Sequence, residues 1–111
     1  MAGWFELTKN DKGQHHFVLK AGNAEVILRS ETYESKAAAR NGIESVQKNA
    51  ADAGRFETKA AKDGRHYFNL KAGNHQVIGT SQMYKSTEGR DNGIASVQKN
   101  GISTDVREIE L

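Results

Sequence analysis

Two stretches of the chain share one pattern: an alternating run of apolar and polar residues, a Gly-Asn pair, and a second apolar run. They are Phe17–Val26 (FVLKAGNAEV) and Phe68–Val77 (FNLKAGNHQV). Alternation with a period of two is typical of a half-buried strand. A Gly-Asn pair between two such runs indicates a two-residue hairpin turn that needs positive φ. Each stretch is therefore predicted to form a β-hairpin.

The whole pattern occurs twice, because adding 51 to a residue number realigns the sequence without a gap. Roughly half of the aligned positions are identical, which indicates one structural unit used twice. A unit of about 50 residues is marginal as an independent fold, since it buries only about 60% of its surface. We therefore expect one domain over residues 1–111 with an internal pseudo-two-fold axis, made of repeat 1 (1–52) and repeat 2 (53–111).

Further strands are predicted on either side of the first hairpin turn. Gly3–Asn10 alternates, and Asp11–Gly13 has turn chemistry. Val26, Ile27 and Leu28 are apolar in succession. Such a run predicts a strand that is buried on both faces or that lies next to the pseudo-two-fold axis.

The hydrophobic period then changes to that of a helix. Ser35 and Ser86 are good N-cap residues. One apolar stripe follows the first of them and consists of Ala39, Ile43, Val46 and Ala50. Gly42 and Gly93 lie in mid-helix, where glycine costs about 1 kcal/mol relative to alanine. Their presence in both copies predicts a close approach of helix to sheet.

A last strand is predicted within Thr104–Leu111, which alternates weakly. Each repeat then contains three antiparallel strands, a helix and a strand. This order predicts an α+β fold with helices on one face of an antiparallel sheet.

Several motifs are specific enough to compare with known families. They are MAGWFEL at the start, FVLKAGN and FNLKAGNHQVIG in the hairpins, SQMY before the second helix, and GIxSVxKN in both helices. Together they resemble the YegP-like family, whose members are small bacterial and archaeal proteins of unknown function. The resemblance implies two tandem β3-α-β repeats in a single, mostly antiparallel sheet with two helices on one face. It also implies that the C-terminal strand of each repeat is swapped onto the other. The resemblance implies no activity. The family includes single-unit members that are expected to pair as homodimers.

Composition and charge narrow the class of protein. The 111 residues include no cysteine, which excludes a disulfide framework, and only short apolar runs, which excludes a membrane span. No secretory signal is visible, so we expect a cytoplasmic protein. The net charge of +2 divides evenly between the halves and is interspersed, whereas nucleic-acid binding usually needs a clustered basic stripe.

His15 and His66 occupy equivalent positions in the two repeats. Across a two-fold axis they would converge and bind a metal, since imidazole is a common ligand. The alternative, which we favour, is a pair of half-buried, hydrogen-bonded and inert histidines. Neither an HxH nor an HExxH pattern occurs in the sequence.

Glu6 with Lys20, and Glu57 with Lys71, are predicted on the polar faces of adjoining strands. They would orient an anion or transfer a proton, or else form ordinary cross-strand charge pairs worth a few tenths of a kcal/mol. We favour the charge pairs. The KAGN turns would bind phosphate only if their backbone N–H groups formed a nest, and a plain hairpin is the simpler interpretation.

The most suggestive combination is aromatic and basic. Trp4 and Tyr67 are predicted on the polar strand faces near Lys20, Lys71 and Arg55. Aromatic rings beside Lys and Arg on an open sheet face stack the bases of single-stranded nucleic acid. The alternative is that these rings pack at loop edges or in a self-association contact. The SVQKN segments of both helices would likewise be partner-binding patches, or reflect only the shared origin of the repeats.

These patterns contain no catalytic constellation, so our first hypothesis is a small non-enzymatic binding or accessory protein without a cofactor. A stress-associated role is one form of it. Its partner would be another protein, and the chain would be a monomer with pseudo-dimer architecture. The alternatives are weak binding of single-stranded nucleic acid through Trp4, Lys20, Arg55, Tyr67 and Lys71, and a metal or small ligand at His15 and His66.

Overall fold

A computed structural model describes residues 3–109 of the chain. Its strands are β1 (Trp4–Lys9), β2 (His15–Lys20), β3 (Val26–Ser30), β4 (Phe56–Ala60), β5 (His66–Lys71), β6 (Val77–Thr80) and β7 (Val106–Ile109). Its helices are α1 (Lys36–Asn49) and α2 (Thr87–Asn100), and a short 3-10 turn, Ala53–Arg55, precedes β4. Neither α-helix of the described part is long and apolar enough to cross a membrane.

The strands form one sheet in the order β4-β5-β6-β3-β2-β1-β7. Each neighbouring pair is antiparallel except β1 and β7, which are parallel. Both helices pack on the same apolar side of this sheet, where the phenylalanines of the strands meet Val46 and Val97. The α+β class, the mostly antiparallel sheet and the two helices are therefore confirmed.

The two repeats meet where β3 pairs with β6, through Arg29 opposite Thr80 and Ser30 opposite Gly79. This position next to the pseudo-two-fold axis explains the continuous apolar run in β3. A register shift beside it brings both Ile27 and Leu28 into the core.

The swapped terminal strand is also confirmed, because β7 of the second repeat pairs with β1 of the first, with Phe5 opposite Val106. A terminal strand was expected after α1 as well. In the described part of the chain α1 is followed by the 3-10 turn and then by β4, the first strand of the second repeat, which pairs with β5, so the swap occurs once. As a result β1 is covered on both sides, and β4 has β5 as its one strand neighbour in the described part of the chain.

The predicted two-residue hairpin turn is wrong in its detail. Positive φ occurs at Ala24 (70°) and at the equivalent His75 (69°), not at the Gly-Asn pairs. Ala21 accepts a bond from the N–H of Ala24, and its own N–H donates to the carbonyl of Glu25. This is a three-residue loop, in which a type I turn is followed by one left-handed residue.

The serine N-caps of both helices are as predicted, and Gly101, the residue directly after α2, has a packing reason to be glycine. The Ser35 and Ser86 hydroxyls accept bonds from the N–H groups of Ala38 and Gly89, at 3.1 and 3.0 Å. Gly101 ends α2 with ordinary helical φ (−67°). A Cβ added to it would lie 2.5 Å from the Cβ of Ala50, so here a glycine permits close contact between the chain segments that follow the two helices.

The predicted close approach at Gly42 and Gly93 is present in both repeats. Tyr33 stacks on Phe17 with ring centroids 6.2 Å apart, and the tyrosine ring lies against Gly42. The equivalent Tyr84 stacks on Phe68 and lies against Gly93. Each glycine therefore makes room for a tyrosine between helix and sheet.

Gly42→Ala should destabilise the protein, because the new methyl group would lie 2.9 Å from Phe17 Cε2 and press on the Tyr33 hydroxyl. Overpacking of this kind costs about 1–3 kcal/mol, more than the ~1 kcal/mol that alanine gains in helix propensity. Urea denaturation measures the difference.

The matched control is Gly89→Ala, whose methyl group has 3.3 Å to its nearest neighbour, Ser86 Oγ. We expect this control to leave stability unchanged or to raise it by up to ~1 kcal/mol. An equal gain in stability from both substitutions would contradict the packing explanation.

Candidate functional site

The sheet side that faces away from the helices carries the residues predicted to bind a partner, and we call it the open face. Its membership follows from the strand registers and the alternation of side chains along each strand. On β7, β1, β2 and β3 it comprises Arg107, Ile109, Trp4, Glu6, Thr8, His16, Val18, Lys20, Val26 and Arg29. On β6, β5 and β4 it comprises Val77, Thr80, Tyr67, Asn69, Lys71, Glu57 and Lys59.

One compact group of this face, the Trp4 cluster, consists of Trp4, Glu6, Lys20 and Arg107. The indole N–H of Trp4 donates to Glu6 Oε2 at 2.9 Å, and Lys20 Nζ lies 3.1 Å from the same oxygen. The Arg107 guanidinium lies over the indole, 4.2 Å from the ring centroid, in cation–π geometry. Trp4 is thereby covered to 8% exposure.

These contacts change the acidity of Glu6. The Trp4 indole N–H, which bonds to the carboxylate, is the largest cause of a lowered Glu6 pKa, and the Lys20 ammonium lowers that pKa further. Burial opposes both effects. The carboxylate is therefore held in its charged form, as in a structural ion pair.

The second repeat has an equivalent group with one change. Lys71 Nζ lies 2.8 Å from Glu57 Oε2 and Lys59 Nζ lies 3.4 Å from Glu57 Oε1, and these cations lower the pKa of Glu57. Both predicted Glu–Lys charge pairs are thus confirmed. Arg55 stands in the place of Trp4. Its Nε lies 3.5 Å from Asp52 Oδ2, outside hydrogen-bond geometry, so this buried nitrogen has no hydrogen-bond partner among the described residues.

The predicted binding residues lie in two separate groups. Trp4 lies directly opposite Lys20, whereas Tyr67 and Lys71 lie on β5, beyond β3 and β6. Arg55 precedes β4 at the far edge. Of the two rings expected to stack bases, Trp4 is covered and Tyr67 is half-buried.

The two histidines do not converge, as a shared metal site would require. His15 and His66 begin β2 and β5, which run in opposite directions with two strands between them. Three strand spacings separate them laterally by roughly 14 Å, and they lie at opposite ends of the sheet. A cavity of about 420 Å³ at the end of β1 is lined by His15 but not by His66. Among residues 3–109 no group of three or more His, Asp and Glu side chains is placed to hold a metal ion.

The repeated SVQKN segments have structural contacts that sequence reasoning did not identify. Asn100 is 5% exposed, accepts the N–H of Gly3 at 2.8 Å, and donates to the Ser96 carbonyl. Gln47 Nε2 donates to the Ser103 carbonyl at 2.9 Å and so holds the segment that leads to β7. These contacts account for part of the repeated polar pattern without a partner.

The charge of the open face is the feature that the sequence did not reveal. Its cations are Lys20, Arg29, Lys59, Lys71 and Arg107, and its carboxylates are Glu6 and Glu57. This face is therefore net +3. Among residues 3–109, 11 Lys/Arg and 11 Asp/Glu lie elsewhere, so the rest of the described molecule carries no net charge.

Arg29 is the central cation of this face. It lies opposite Val18 on one side and Thr80 on the other, beside the pseudo-two-fold axis. It is exposed, and no carboxylate of the described residues forms an ion pair with it. The sequence signal was a single arginine directly after the apolar run of β3, where alternation points it away from the core.

Trp4→Phe tests the cause assigned to the Glu6 pKa, because phenylalanine keeps a ring beneath Arg107 but removes the indole N–H. We expect the pKa of Glu6 to rise toward its ordinary value, measured by carboxyl ¹³C NMR titration. The folded-state pKa is below the unfolded one, so Glu6 stabilises the wild-type protein above about pH 4.5 and loses that effect as pH falls through its folded pKa. The substitution should therefore weaken the acid dependence of stability.

Glu57 is the internal control for this titration, because its pKa is lowered by Lys71 and Lys59 and not by an indole. It should titrate identically in both proteins. An unchanged Glu6 pKa in Trp4→Phe would contradict the assignment.

Comparison with known proteins gives the family. The model of a domain of unknown function, DUF1508, matches twice, at residues 10–57 and 61–108. A UPF0339 protein of Acinetobacter baylyi is 56% identical over 109 residues, covering 98% of both chains. The UPF0339 protein YegP of Escherichia coli K12 is 56% identical over 108 residues, covering 97% of this chain and 98% of its own.

Two solution NMR structures of relatives have the same fold. That of YegP from E. coli, a protein of unknown function, has a TM-score of 0.93 at 55% identity and covers 99% of this chain and 95% of that one. That of a UPF0339 protein from Shewanella oneidensis has a TM-score of 0.93 at 56% identity, covering 99% and 93%. The twofold match, the extent of identity and the shared fold show that the chain belongs to the DUF1508 family of UPF0339, YegP-like proteins.

Proposed function

We propose that this protein is a non-enzymatic binding protein whose open face docks an acidic surface or segment of a partner protein. The observation that carries the proposal is the net +3 charge of this face, with Arg29 exposed at its centre, on a molecule whose other described residues carry no net charge. An uneven distribution of this kind attracts and orients a partner of opposite charge.

The surroundings of Arg29 suit a protein interface. Val18 lies beside it on β2 but is buried, and the apolar side chain available there is Val77 of β6, which is 40% exposed and lines the same surface cavity as Arg29. Arginine next to apolar side chains is typical of interface anchors, because its planar guanidinium both packs on apolar groups and bonds a carboxylate in a bidentate manner. An antiparallel sheet with helices on one side leaves its other side for such a contact.

Single-stranded nucleic acid fits this face less well. Base stacking needs an exposed aromatic ring, and the Trp4 ring is covered by Arg107. Lys20, Lys71 and Lys59 are each neutralised in part by a neighbouring glutamate. These contacts favour an acidic protein over a polynucleotide.

An enzymatic role finds little support in the titratable groups. General acid–base pairs are recognised by environments that push two pKa values apart. Here the pKa values of both glutamates are lowered, that of Glu6 chiefly by the Trp4 indole N–H and then by Lys20, and that of Glu57 by Lys71 and Lys59. Both groups behave as ion-paired carboxylates, which supports a binding role.

Arg29→Glu tests the proposal in an NMR titration with a ten-residue polyglutamate peptide as probe. In the wild-type protein the amide signals of β3 and β6 should shift. In Arg29→Glu the dissociation constant should rise by about tenfold or more, as expected when a central charge of an interface is reversed.

The matched control is Lys48→Glu, which makes the same charge change at an exposed position of α1 on the opposite side of the molecule. It should bind the peptide within about twofold of wild type. Equal losses in both variants would reduce the effect to net charge and contradict a docking site. Stronger binding of an oligothymidylate of equal charge would favour the nucleic-acid alternative instead.

A further inference from the structure

The outer edge of β4 is the open edge of the second repeat. The equivalent edge of the first repeat, on β1, is covered by β7, whereas β4 has no strand beyond it among the described residues. Open edges present unpaired backbone groups, which are templates for pairing with another chain. The edge of β4 is therefore a candidate site for a strand from another chain, at the position that β7 occupies on β1.

The direction of the backbone groups of β4 follows from its neighbour. Phe68 lies opposite Thr58, and its backbone groups bond on the side away from β4. Its N–H donates to the Ser81 hydroxyl (3.0 Å), and its carbonyl accepts the Ser81 N–H (2.9 Å). Thr58 and Phe68 are therefore a non-hydrogen-bonded pair, so the N–H and carbonyl of Thr58 point outward.

The same reasoning applies at the two ends of β4. His66, opposite Ala60, exchanges both backbone bonds with Tyr84, so the backbone groups of Ala60 also point outward. The Phe56 N–H donates to the Ala53 carbonyl within the 3-10 turn. Of the Phe56 backbone groups, the carbonyl therefore remains available.

We propose that this edge is a homodimer interface. In it, β4 of one copy pairs antiparallel with β4 of a second copy about a two-fold axis that passes between the two Thr58 residues. In that register the two Thr58 residues exchange both backbone bonds. The Ala60 N–H of each copy donates to the Phe56 carbonyl of the other. The occupied N–H of Phe56 is not needed, so four backbone bonds form with no donor left over within the pairing.

The side chains of FETKA are self-complementary in this register. On the open face Glu57 lies opposite Lys59 of the second copy, and Lys59 lies opposite Glu57 of the second copy. On the other side Thr58 lies opposite its own equivalent, and Phe56 lies opposite the small Ala60. Opposite-charge and Thr–Thr pairs are among the favourable cross-strand pairs of antiparallel strands. A two-fold contact of this type closes on itself and stops at a dimer.

A β7 strand from a second copy is a poorer occupant of the same edge. Where β7 covers β1, Glu108 of β7 forms ion pairs with two cations of α1, Lys36 and, at 3.3 Å, Arg40. The equivalent residues beside β4 are Thr87 and Asp91, so the cations that hold Glu108 are replaced by a neutral and an acidic residue. The apolar Leu7 and the Trp4 platform are likewise replaced, by Thr58 and Arg55.

The dimer would place the two open faces on the same side, because a two-fold axis between antiparallel strands is perpendicular to the sheet. A single cationic surface of doubled width would result. The inference does not depend on that surface binding a partner, since it rests on the edge of β4 alone.

The test is sedimentation equilibrium of the full chain over a range of concentrations, combined with amide hydrogen exchange. A five-residue pairing buries little surface, so we expect a dissociation constant of about 10 μM to 1 mM. The amides of Thr58 and Ala60, which face solvent in the monomer, should become protected as concentration rises. A chain that stays monomeric up to about 1 mM would overturn the proposal.

Three variants and one control identify the interface. Lys59→Glu places like charges opposite each other and should raise the dissociation constant by about tenfold or more, and the double variant E57K/K59E should restore association. Thr58→Pro removes an outward N–H that the monomer does not use, and should abolish the dimer while the chain stays folded. Lys62→Glu, the same charge change in the adjoining exposed loop, should leave the dimer intact.

Other results would overturn the proposal. Association that Lys59→Glu and Thr58→Pro leave unchanged would place the contact elsewhere. Species that grow beyond a dimer would indicate a head-to-tail contact of β4 with the opposite edge strand, β7.

Discussion

The buried apolar side chains of residues 3–109 form one layer that both repeats share, and the structure depends on this sharing. Helix α1 packs on β5 and β6 of the second repeat as well as on β2 of the first, and α2 packs on β2 and β3 as well as on β5. A unit of about 50 residues buries too small a fraction of its surface to be stable alone. The shared layer requires the helices to lie close to the sheet, which Gly42 and Gly93 permit by leaving room for Tyr33 and Tyr84.

The two halves differ at their outer edges, and the sequence differences follow the structural ones. Where β7 covers β1, the first repeat has Trp4 beneath Arg107, and Lys36 beside Glu108. At β4, which no strand of residues 3–109 covers, the second repeat has Arg55 and Thr87 at the same positions. The internal comparison therefore separates residues that maintain the repeated fold from residues that belong to one particular edge.

Much of the fold could be predicted because its signals are local. The serine caps, the apolar stripe of α1 and the alternation of the strands depend on near neighbours in sequence, and the structure confirms them. The exact turn was missed because a Gly-Asn pair fits both a two-residue loop and a type I turn followed by a left-handed residue, here Ala24.

The candidate site was harder to predict because it depends on which strands become neighbours. His15 and His66 are equivalent in sequence, yet the antiparallel order of the sheet places them at opposite ends. The sequence predicted an exposed Trp4 ring that could stack a base, but in the structure Arg107 of β7 lies over that ring. No local sequence pattern marks Arg29 as central. Its position at the centre of the open face results from the pairing of β3 with β6. Strand order and the position of a remote strand are not contained in any local pattern.

The shared core is tested most directly by native-state hydrogen exchange in Val97→Ala. Val97 is fully buried in α2 of the second repeat, and its truncation should cost about 2 kcal/mol. The amides of Phe17 and Phe68 are equivalent, each bonded to a serine hydroxyl, one in each repeat. A single shared core predicts that both amides lose protection by the same free energy. Loss at Phe68 with unchanged protection at Phe17 would show that the repeats are stable independently, and would contradict the account.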